Sequence, residues 1–554
     1  MENWPQWRDW TEELGQARRA ARLKVGTRTL WVAAERLPQC LATWPDATLE
    51  PSIVAPSSLS RRNWPEEDAL VELLRGRLEG IGPVTETELS RSVGLGRSRI
   101  AVALAALQTE GFALRGRFTP DASEDEWCER GLLARIHRYT TKRLRAEIEP
   151  VAARDFVRFL FDWQRVTPDT RMEGPEALPA VIEQLEGFEA AAGAWESEIL
   201  PARIADYEPE WLDEQCLAGR VCWFRSRPRR LAPANGTTRA APVRTTPIAL
   251  SSRRHAAFWL PIDQGADALP LTPAAMRVAE FIRENGASFF GELVDGTGLL
   301  RTEVEQALGE LVALGVVTSD SFGGLRALLT PACRKSAVSG SRRRLASSFG
   351  MEDTGRWALA RRNRASSQPP PGGASAIPGK QANFEAMEHI ARTLLRRYGV
   401  VFWRLLEREA NSLPPWRDLL HVYRRMEGRG EIRGGRFVAG FAGEQFALSE
   451  AIGRLRDTRR KADDGEFVSI SGADPLNLSG ILTPGPRLPA LAGNRAVYRA
   501  GVPVAFLSGG KELYLTPADE GELWIVRKTL LQGPASAPSG RERRTSKRGP
   551  ARTC

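Results

Sequence analysis

Apolar residues recur every three or four positions in two distant stretches of the chain, and glycines end the helices that this pattern predicts. ELSRSVGLGRSRIAVALAALQTEG (88–111) and ELVDGTGLLRTEVEQALGELVALG (292–315) align without a gap, which indicates an internal duplication. Thr85 and Glu88 form the T-x-x-E pattern that caps a helix. FALRGRF and VVTSDSF then follow as candidate ribbons. Helix, turn, helix and hairpin together predict a winged helix.

A third stretch, RMEGRGEIRGGRFVAG (425–440), predicts the same arrangement around a tight hairpin. The pair Gly434–Gly435 between short apolar runs predicts a two-residue turn, since both turn positions need positive φ. That turn sets Arg433 opposite Arg436. Facing like charges cost stability unless an anion lies nearby, so the pair predicts a phosphate contact.

Two further segments carry related patterns. LDEQCLAGRVCWFR (212–225) repeats a helix, a glycine and an aromatic strand, and predicts the end of a fourth, divergent winged helix. WCERGLLARIHRYTTKRLRAEIEP (127–150) predicts an amphipathic helix. Its basic side is formed by Arg135, Arg138, Lys142 and Arg145. This basic ridge predicts a nucleic-acid contact, and a merely solvated helix face is the alternative interpretation.

After about residue 463 the pattern changes to short apolar runs broken by glycine and proline, which predicts a small β-barrel. The predicted fold class is therefore α+β, mainly helical, with tandem winged-helix domains followed by a small C-terminal β-barrel. The predicted units are a helical N-terminal segment (1–65), a winged helix (66–120), the basic ridge with the divergent winged helix (125–226), an Arg/Pro-rich linker (227–265), a winged helix (266–333), a basic Pro/Gly-rich linker (334–380), a winged helix (381–462), the barrel (463–531) and a disordered basic tail (532–554).

Composition narrows the class of protein. The net charge of +10 is concentrated, because residues 225–254 hold eight arginines and no acidic residue. Such segments suit phosphate contact or act as solubilising linkers. The 554 residues contain no apolar run of the roughly 18 residues that a membrane span needs, and no secretory signal opens them. Six cysteines without a C-x-x-C pair, together with four histidines, predict a reduced cytoplasmic protein without a structural metal.

Four motifs carry a family resemblance that runs from about residue 4 to residue 515. At LLARIHRYTTKRLRAEIEP, VFWRLLERE, RGEIRGGRFVAGFAGEQFAL and DPLNLSGILTPGPR the chain closely resembles the C-terminal region of bacterial Lhr (large helicase-related) proteins, which are superfamily 2 DNA helicases. In full-length members an ATP-driven motor precedes this region. The chain has no G-x-x-x-x-G-K-[ST] loop and no DE-x-H box, so ATP and magnesium are expected only in that missing motor. A truncated or split gene would explain the difference.

The resemblance also implies a possible enzyme. The Lhr C-terminal region is similar to winged-helix DNA glycosylases, and some Lhr proteins are credited with uracil excision. The Gln-apolar-Gln or Gln-apolar-Asp motif of those glycosylases has no match here. Asp474 in DPLNLSG is the catalytic candidate, because base excision needs a carboxylate near the sugar. An Asx-Pro turn is the structural alternative for this residue.

We therefore predict a DNA-binding or RNA-binding protein of DNA repair that docks on phosphates. The alternatives are a DNA glycosylase and a protein-interaction scaffold, with a separately encoded motor or further copies of the chain as partners. Trp223, Trp403 and Trp416 are candidates for stacking on bases. The predicted phosphate-binding residues, besides the basic ridge, lie on presumed recognition helices and one wing: Arg97, Arg99, Arg301, Arg417, Arg424, Arg433 and Arg436.

Overall fold

The computed structural model describes residues 7–120, 122–146, 148–226, 245–260, 271–329, 351, 355–360, 378–409, 413–462, 465–517 and 519–532. The chain divides into two compact units, Met1–Glu147 and Ile148–Cys554. Most of both predicted linkers and nearly all of the predicted tail lie outside the described residues. None of the helices within the described ranges combines the length and the apolar character that a membrane crossing requires.

The first unit begins with a three-stranded antiparallel sheet of order β2-β1-β3, where the sequence predicted a helical segment. The elements are α1 (Trp7–Gln16), β1 (Ala20–Val25), β2 (Arg28–Ala33), α2 (Leu37–Thr43), β3 (Thr48–Glu50) and α3 (Ser57–Ser60). Ala21 and Leu23 are buried and alternate with exposed Arg22 and Lys24. This period of two is the pattern of a half-buried strand, so the prediction of a helical segment is wrong for this sheet.

A winged helix, WH1 (residues 66–129), follows in the same unit. It consists of α4 (Glu66–Leu78), β4 (Val84–Thr85), α5 (Glu86–Val93), α6 (Arg97–Thr109), β5 (Ala113–Gly116) and β6 (Glu126–Glu129). The predicted capping box is present, since Thr85 Oγ1 accepts from the Glu88 amide at 3.2 Å and the Glu88 carboxylate accepts from the Thr85 amide at 3.0 Å. The predicted amphipathic helix is α7 (Arg130–Ala146), which extends from β6.

The second unit holds three more winged helices, preceded by α8 (Ala153–Trp163) and β7 (Met172–Glu173). WH2 (residues 177–252) contains α9 (Ala177–Leu185), β8 (Ala190–Ala191), α10 (Ala192–Ala194), a π-helical turn (Trp195–Ile199), β9 (Ile204–Ala205), α11 (Pro209–Leu217), β10 (Val221–Phe224) and β11 (Pro247–Ser252). A short helix, α12 (Ala256–Trp259), comes next.

WH3 and WH4 complete the series. WH3 (residues 273–359) contains α13 (Pro273–Asn285), β12 (Ser288–Phe289), α14 (Phe290–Thr297), α15 (Arg301–Ala313), β13 (Val317–Ser319), α16 (Phe322–Leu329) and β14 (Arg356–Leu359). WH4 (residues 378–448) contains α17 (Pro378–Tyr398), β15 (Val400–Val401), a 3-10 helix (Trp403–Arg408), α18 (Trp416–Gly428), β16 (Ile432–Gly435) and β17 (Gln445–Leu448). In the three-stranded sheet of each of the four winged helices, the last strand in the chain lies between the other two.

Two of these sheets use strands from stretches that were predicted to be linkers. β11 pairs with β10 and lies inside the predicted 227–265 linker. β14 pairs with both β12 and β13 and lies inside the predicted 334–380 linker. VVTSDSF therefore does not fold back on itself as a ribbon, because the partner of β13 comes from residues 356–359 and α16 follows directly. Both winged helices extend further along the chain than predicted.

The C-terminal region is an open sheet, and the predicted β-barrel is wrong. After α19 (Ser449–Arg460), the strands β18 (Phe467–Ser471), β19 (Arg495–Arg499), β20 (Val502–Ser508) and β21 (Lys511–Tyr514) pair antiparallel in chain order. Over the described residues, β18 and β21 stay unpaired with each other. The helix α20 (Glu520–Gln532) packs Val526 and Leu530 onto the sheet. This helix therefore covers apolar residues of the sheet that a closed barrel would have buried in its interior.

Two large buried clusters hold the second unit together. One joins α8, WH4 and the C-terminal sheet, and its side chains include Phe156, Tyr423 and Tyr498. The other joins WH2 and WH3, where the rings of Trp223 and Trp357 meet edge to face with centroids 6.4 Å apart. Each winged helix in this unit therefore shares its core with a neighbour.

Candidate nucleic-acid interface

The helix α18 of WH4 has one buried and one basic face. Its buried side chains are Leu419, Val422, Tyr423 and Met426. Arg417 and Arg424, which were predicted to lie on a recognition helix, project from the opposite side. The Arg417 side chain is 84% exposed, and that of Arg424 is about half exposed. Both remain accessible to a ligand.

The ion pairs of these two arginines are surface pairs. Arg417 lies 3.5 Å from the carboxylate of its neighbour Asp418, and Arg424 lies 2.9 Å from Glu444 in the wing. Exposed pairs of this kind are worth about 0–1 kcal/mol, so exchanging the carboxylate for a phosphate costs little. Both guanidinium groups can therefore serve as phosphate ligands.

The wing of WH4 does not contain the predicted glycine turn. Gly434 and Gly435 lie within β16, where they pair with Phe446 and Gln445, and neither has a positive φ. A Cβ added to Gly435 would lie 2.3 Å from Cδ1 of Ile148, so glycine is needed there for close packing. The prediction that Arg433 opposes Arg436 across a turn is wrong, because β17 starts nine residues further on.

A longer loop forms the wing instead. After β16 the chain pairs with Val151, whose amide donates to Phe437 O and whose carbonyl accepts from the Ala439 amide, both at 2.8 Å. The buried Gln445 side chain fixes the loop, because its Oε1 accepts from the amides of Phe437 and Val438 at 2.9 and 2.8 Å. The loop thus has a defined shape without a tight turn.

The two wing arginines, Arg433 and Arg436, are both exposed. Within the described part of the chain, neither Arg433 nor Arg436 forms an ion pair. The nearby carboxylate of Glu431 pairs with Arg392 and Arg429 instead, each at 2.6 Å. The two cations are thus left without a carboxylate partner, although they do not repel each other across a turn.

WH1 presents cations at the start of α6 and in its wing, where exposed Arg115 and Arg117 both pair with Asp125. Arg97 and Arg99 are exposed in the first turn of α6, as predicted, and they pair with Glu124 (3.9 Å) and Glu66 respectively. The outward positions further along α6 are uncharged: Val102, Ala105, Gln108 and Thr109. WH1 therefore has a basic helix start but no basic helix face.

The basic ridge on α7 is present as a surface. Arg135, Arg138 and Lys142 are exposed, whereas Arg145 is half-buried. The apolar side of this helix is only partly covered, since Leu132, Leu133 and Ile136 are half-buried and the Leu144 residue is 38% exposed.

WH2 and WH3 use their corresponding helices differently. The helix α11 of WH2 is acidic and carries no arginine. In α15 of WH3, Arg301 lies at the exposed start with its guanidinium 5.6 Å from the centroid of the Phe290 ring. The second half of α15 is buried, and its Glu310 carboxylate accepts from Thr272 N and Oγ1 at 2.8 and 2.7 Å. These two helices serve mainly as structural elements.

Asp474 lies inside the protein. It is 1% exposed, and its carboxylate accepts from both terminal nitrogens of Arg203 at 2.6 and 2.9 Å. It also accepts from the Leu476 amide at 2.9 Å, which is the Asx-type turn that was the structural alternative. Its carboxylate is thus held by Arg203 and by the backbone of its own loop. Its assignment as a catalytic residue stays a prediction.

A pocket of about 480 Å³ lies beside the loop that follows Asp474. It is lined by Trp403 and Arg404 of the 3-10 helix, by residues 440–442 of the wing and by residues 480–485. Trp403 is 56% exposed, whereas the other stacking candidates are not: Trp223 is fully buried, and Trp416 is half-buried against Tyr423. An exposed indole and Phe441 give this pocket two aromatic walls.

Sequence reasoning missed three residues of this region. Arg203 binds Asp474 from a position 271 residues earlier, and no local pattern connects the two. Gln445 lies outside the glycine pair that was taken to define the wing. Phe441 is an apolar residue in a loop between glycines, which was the one available signal of a functional surface there.

Together these features define a protein of tandem winged helices with a basic helix and wing in its fourth unit. Models of a winged-helix domain of the large helicase-related protein match residues 151–242 and 380–467. These segments overlap WH2 and WH4, and they confirm the resemblance to the Lhr family that the sequence predicted.

Two curated relatives match most of the chain. The "Lhr helicase/ probable uracil glycosylase" of Mycolicibacterium smegmatis is 29% identical over 478 residues, which are 84% of this chain and 30% of the relative. The "Lhr helicase/uracil glycosylase" of Escherichia coli is 30% identical over 518 residues, which are 85% of this chain and 30% of the relative. The chain therefore spans about 30% of the length of these relatives.

Proposed function

We propose that the chain is a nucleic-acid-binding part of an Lhr-type DNA repair system and that WH4 provides its main contact. Winged-helix domains of the Lhr type support a role in binding nucleic acid. The observation that carries the proposal is the surface formed by Arg417 and Arg424 on α18 together with Arg433 and Arg436 on the wing. We call it the WH4 basic surface.

The arrangement fits a duplex backbone better than a base-specific contact. Helix and wing present cations from two adjacent elements, and arginine binds phosphate oxygens in a fork-like geometry. No exposed asparagine or glutamine accompanies the arginines on the outer face of α18 among the described residues, so a bidentate contact to adenine has no candidate there. Binding through the WH4 basic surface is therefore electrostatic and tolerant of sequence.

Charge reversal on α18 tests the proposal. Arg417→Glu with Arg424→Glu should weaken binding of a fluorescent duplex by about tenfold or more at fixed salt, measured by anisotropy with the full chain. Lys511→Glu with Lys528→Glu makes the same charge change at exposed positions on the C-terminal sheet and α20. Equal losses in both variants would show that overall charge, and not the WH4 basic surface, determines binding.

A second candidate function rests on the pocket beside Trp403. Both relatives carry uracil glycosylase in their names. An extruded base needs a pocket with aromatic faces, and Trp403 with Phe441 supplies such faces. Uracil excision at this pocket is therefore the enzymatic alternative.

Cleavage of a uracil-containing single strand after alkali treatment tests that alternative. Trp403→Ala should remove most of the cleavage, whereas Trp524→Ala, at another exposed tryptophan, which lies on α20, should leave it unchanged. Absence of cleavage by the wild-type chain, or equal cleavage by both variants, would exclude excision at this pocket.

A further inference from the structure

Two of the four histidines in the chain meet at one buried carboxylate in the second unit. Glu186 directly follows α9, His255 directly precedes α12, and His389 lies in the middle of α17. Nδ1 of His255 lies 3.2 Å from Glu186 Oε2, and Nε2 of His389 lies 3.3 Å from Glu186 Oε1. Three segments that are far apart in sequence therefore bring their nitrogen and oxygen ligands to one point.

Hydrogen-bond donors other than the histidines already surround one oxygen of the Glu186 carboxylate. Oε1 already accepts from Ser251 Oγ at 2.8 Å and from Trp259 Nε1 at 3.2 Å. A carboxylate oxygen has two lone-pair sites, so these two donors satisfy it, and His389 is a third and more distant neighbour. A ring nitrogen without its hydrogen, on each of these histidines, can share one cation with the Glu186 carboxylate.

We propose that Glu186, His255 and His389 bind one divalent transition-metal ion of the zinc class. Two imidazole nitrogens and a carboxylate oxygen are the donor set that such ions prefer. The candidate ligand atoms all lie within 4.8 Å of one another, while ligands of tetrahedral zinc lie roughly 3.3 Å apart. Small side-chain rotations are enough to close that difference.

The surroundings suit a bound ion. Ser251 and Trp259 hold the orientation of the Glu186 carboxylate, which is the role that outer hydrogen-bond partners have in metal sites. Glu186 is fully buried, but the two histidine side chains are 19% and 14% exposed and give solvent a path to the site. Arg397, which donates to the backbone carbonyl of Glu186, is neutralised by Glu409.

The ion would connect WH2 to WH4. Glu186 belongs to the segment of the first Lhr match and His389 to that of the second, whereas His255 lies between them. Three protein ligands leave a fourth position for water or a substrate group, as in zinc sites that act on a ligand. The site therefore both cross-links two winged helices and offers an open coordination position.

Metal binding by the full chain tests this proposal directly. After chelator treatment, the wild-type chain should take up one Zn²⁺ per chain, and Co²⁺ should give the visible d–d absorption of a tetrahedral site. His255→Gln with His389→Gln should abolish both signals. His137→Gln with His421→Gln removes the other two histidines, both exposed, and should leave both signals intact.

Two further measurements keep the test decisive if the double variant fails to fold. His389→Gln alone changes a partly exposed ligand and should still remove the Co²⁺ absorption. Ser251→Ala keeps every ligand and should weaken Zn²⁺ binding by about tenfold, because it releases the carboxylate. Absence of bound metal in the wild type, or equal uptake after both site histidines are replaced, would mean a hydrogen-bonded network only and would overturn the proposal.

Discussion

Arg203 donates from both terminal nitrogens to the two carboxylate oxygens of Asp474, and both side chains are buried. Arg203 also donates to Ile199 O at 3.0 Å and to Gln164 Oε1 at 2.7 Å. The pair thus ties the end of α8 and the end of the π-helical turn to the connection between β18 and β19 of the C-terminal sheet. Such a buried pair is costly to break, because the remaining charge keeps no partner.

Asp474→Asn should therefore lower the free energy of unfolding by about 3–5 kcal/mol, since it leaves a buried guanidinium without its counter-charge. Urea unfolding followed by tryptophan fluorescence measures the loss. Asp457→Asn, at an exposed position of α19, should change stability by less than about 0.5 kcal/mol.

Replacing both partners by apolar residues, as in Arg203→Met with Asp474→Leu, should recover part of the stability. A stability loss from Asp474→Asn that is no larger than that of the control would contradict the structural role. Any test of Asp474 in base excision therefore needs a folded variant first.

The two wing arginines predict a specific salt dependence. Each contact to a duplex phosphate contributes about 0.9 to the slope of log K against log salt. Arg433→Gln with Arg436→Gln should thus flatten the slope by about 2 and weaken binding to all sequences alike. Anisotropy titrations at several salt concentrations, with Lys511→Gln and Lys528→Gln as the control, give the slopes. An unchanged slope in the wing variant would remove both residues from the interface.

The winged helices could be predicted from sequence because their signals are local. Helix caps and glycine stops in residues 85–111 locate α5 and α6 within a few residues. The alignment of residues 292–315 with that stretch then predicts α14 and α15 in the same way. The placement of Arg417 and Arg424 on a recognition helix likewise agrees with α18. Each of these inferences needs only neighbours within one or two helical turns.

The sheets and the buried polar groups could not be predicted in the same way. β14 pairs with β12 in a register that sets Ser288 opposite Trp357, 69 positions later, and Phe289 opposite Arg356, 67 positions later. Arg203 and Asp474, like Glu186 and His389, meet only in the folded chain. A partner at that distance leaves no periodic signal in either segment, so tertiary packing alone decides these contacts.

The glycine pair of WH4 shows how a strong local signal can mislead. Gly-Gly is typical of a tight turn, yet here both glycines lie in a strand. Because Gly435 has no Cβ, the side chain of Ile148 can pack directly against the backbone there. Glycine has two physical uses, positive φ and close approach, and sequence alone does not distinguish them. The structure assigns the second use to Gly435.

Close packing at this strand gives the last prediction. Gly435→Ala places a Cβ 2.3 Å from Cδ1 of Ile148 and should lower stability by about 1–3 kcal/mol through overpacking. Ile148→Val removes that Cδ1 atom, so Gly435→Ala combined with Ile148→Val should regain most of the loss. Gly453→Ala, in an exposed turn of α19 with open space around it, should instead stabilise the protein by about 0.5–1 kcal/mol. Urea unfolding of Gly435→Ala, Ile148→Val, their combination and Gly453→Ala measures these changes. If Ile148→Val fails to restore the stability that Gly435→Ala loses, the strand needs glycine for its backbone conformation.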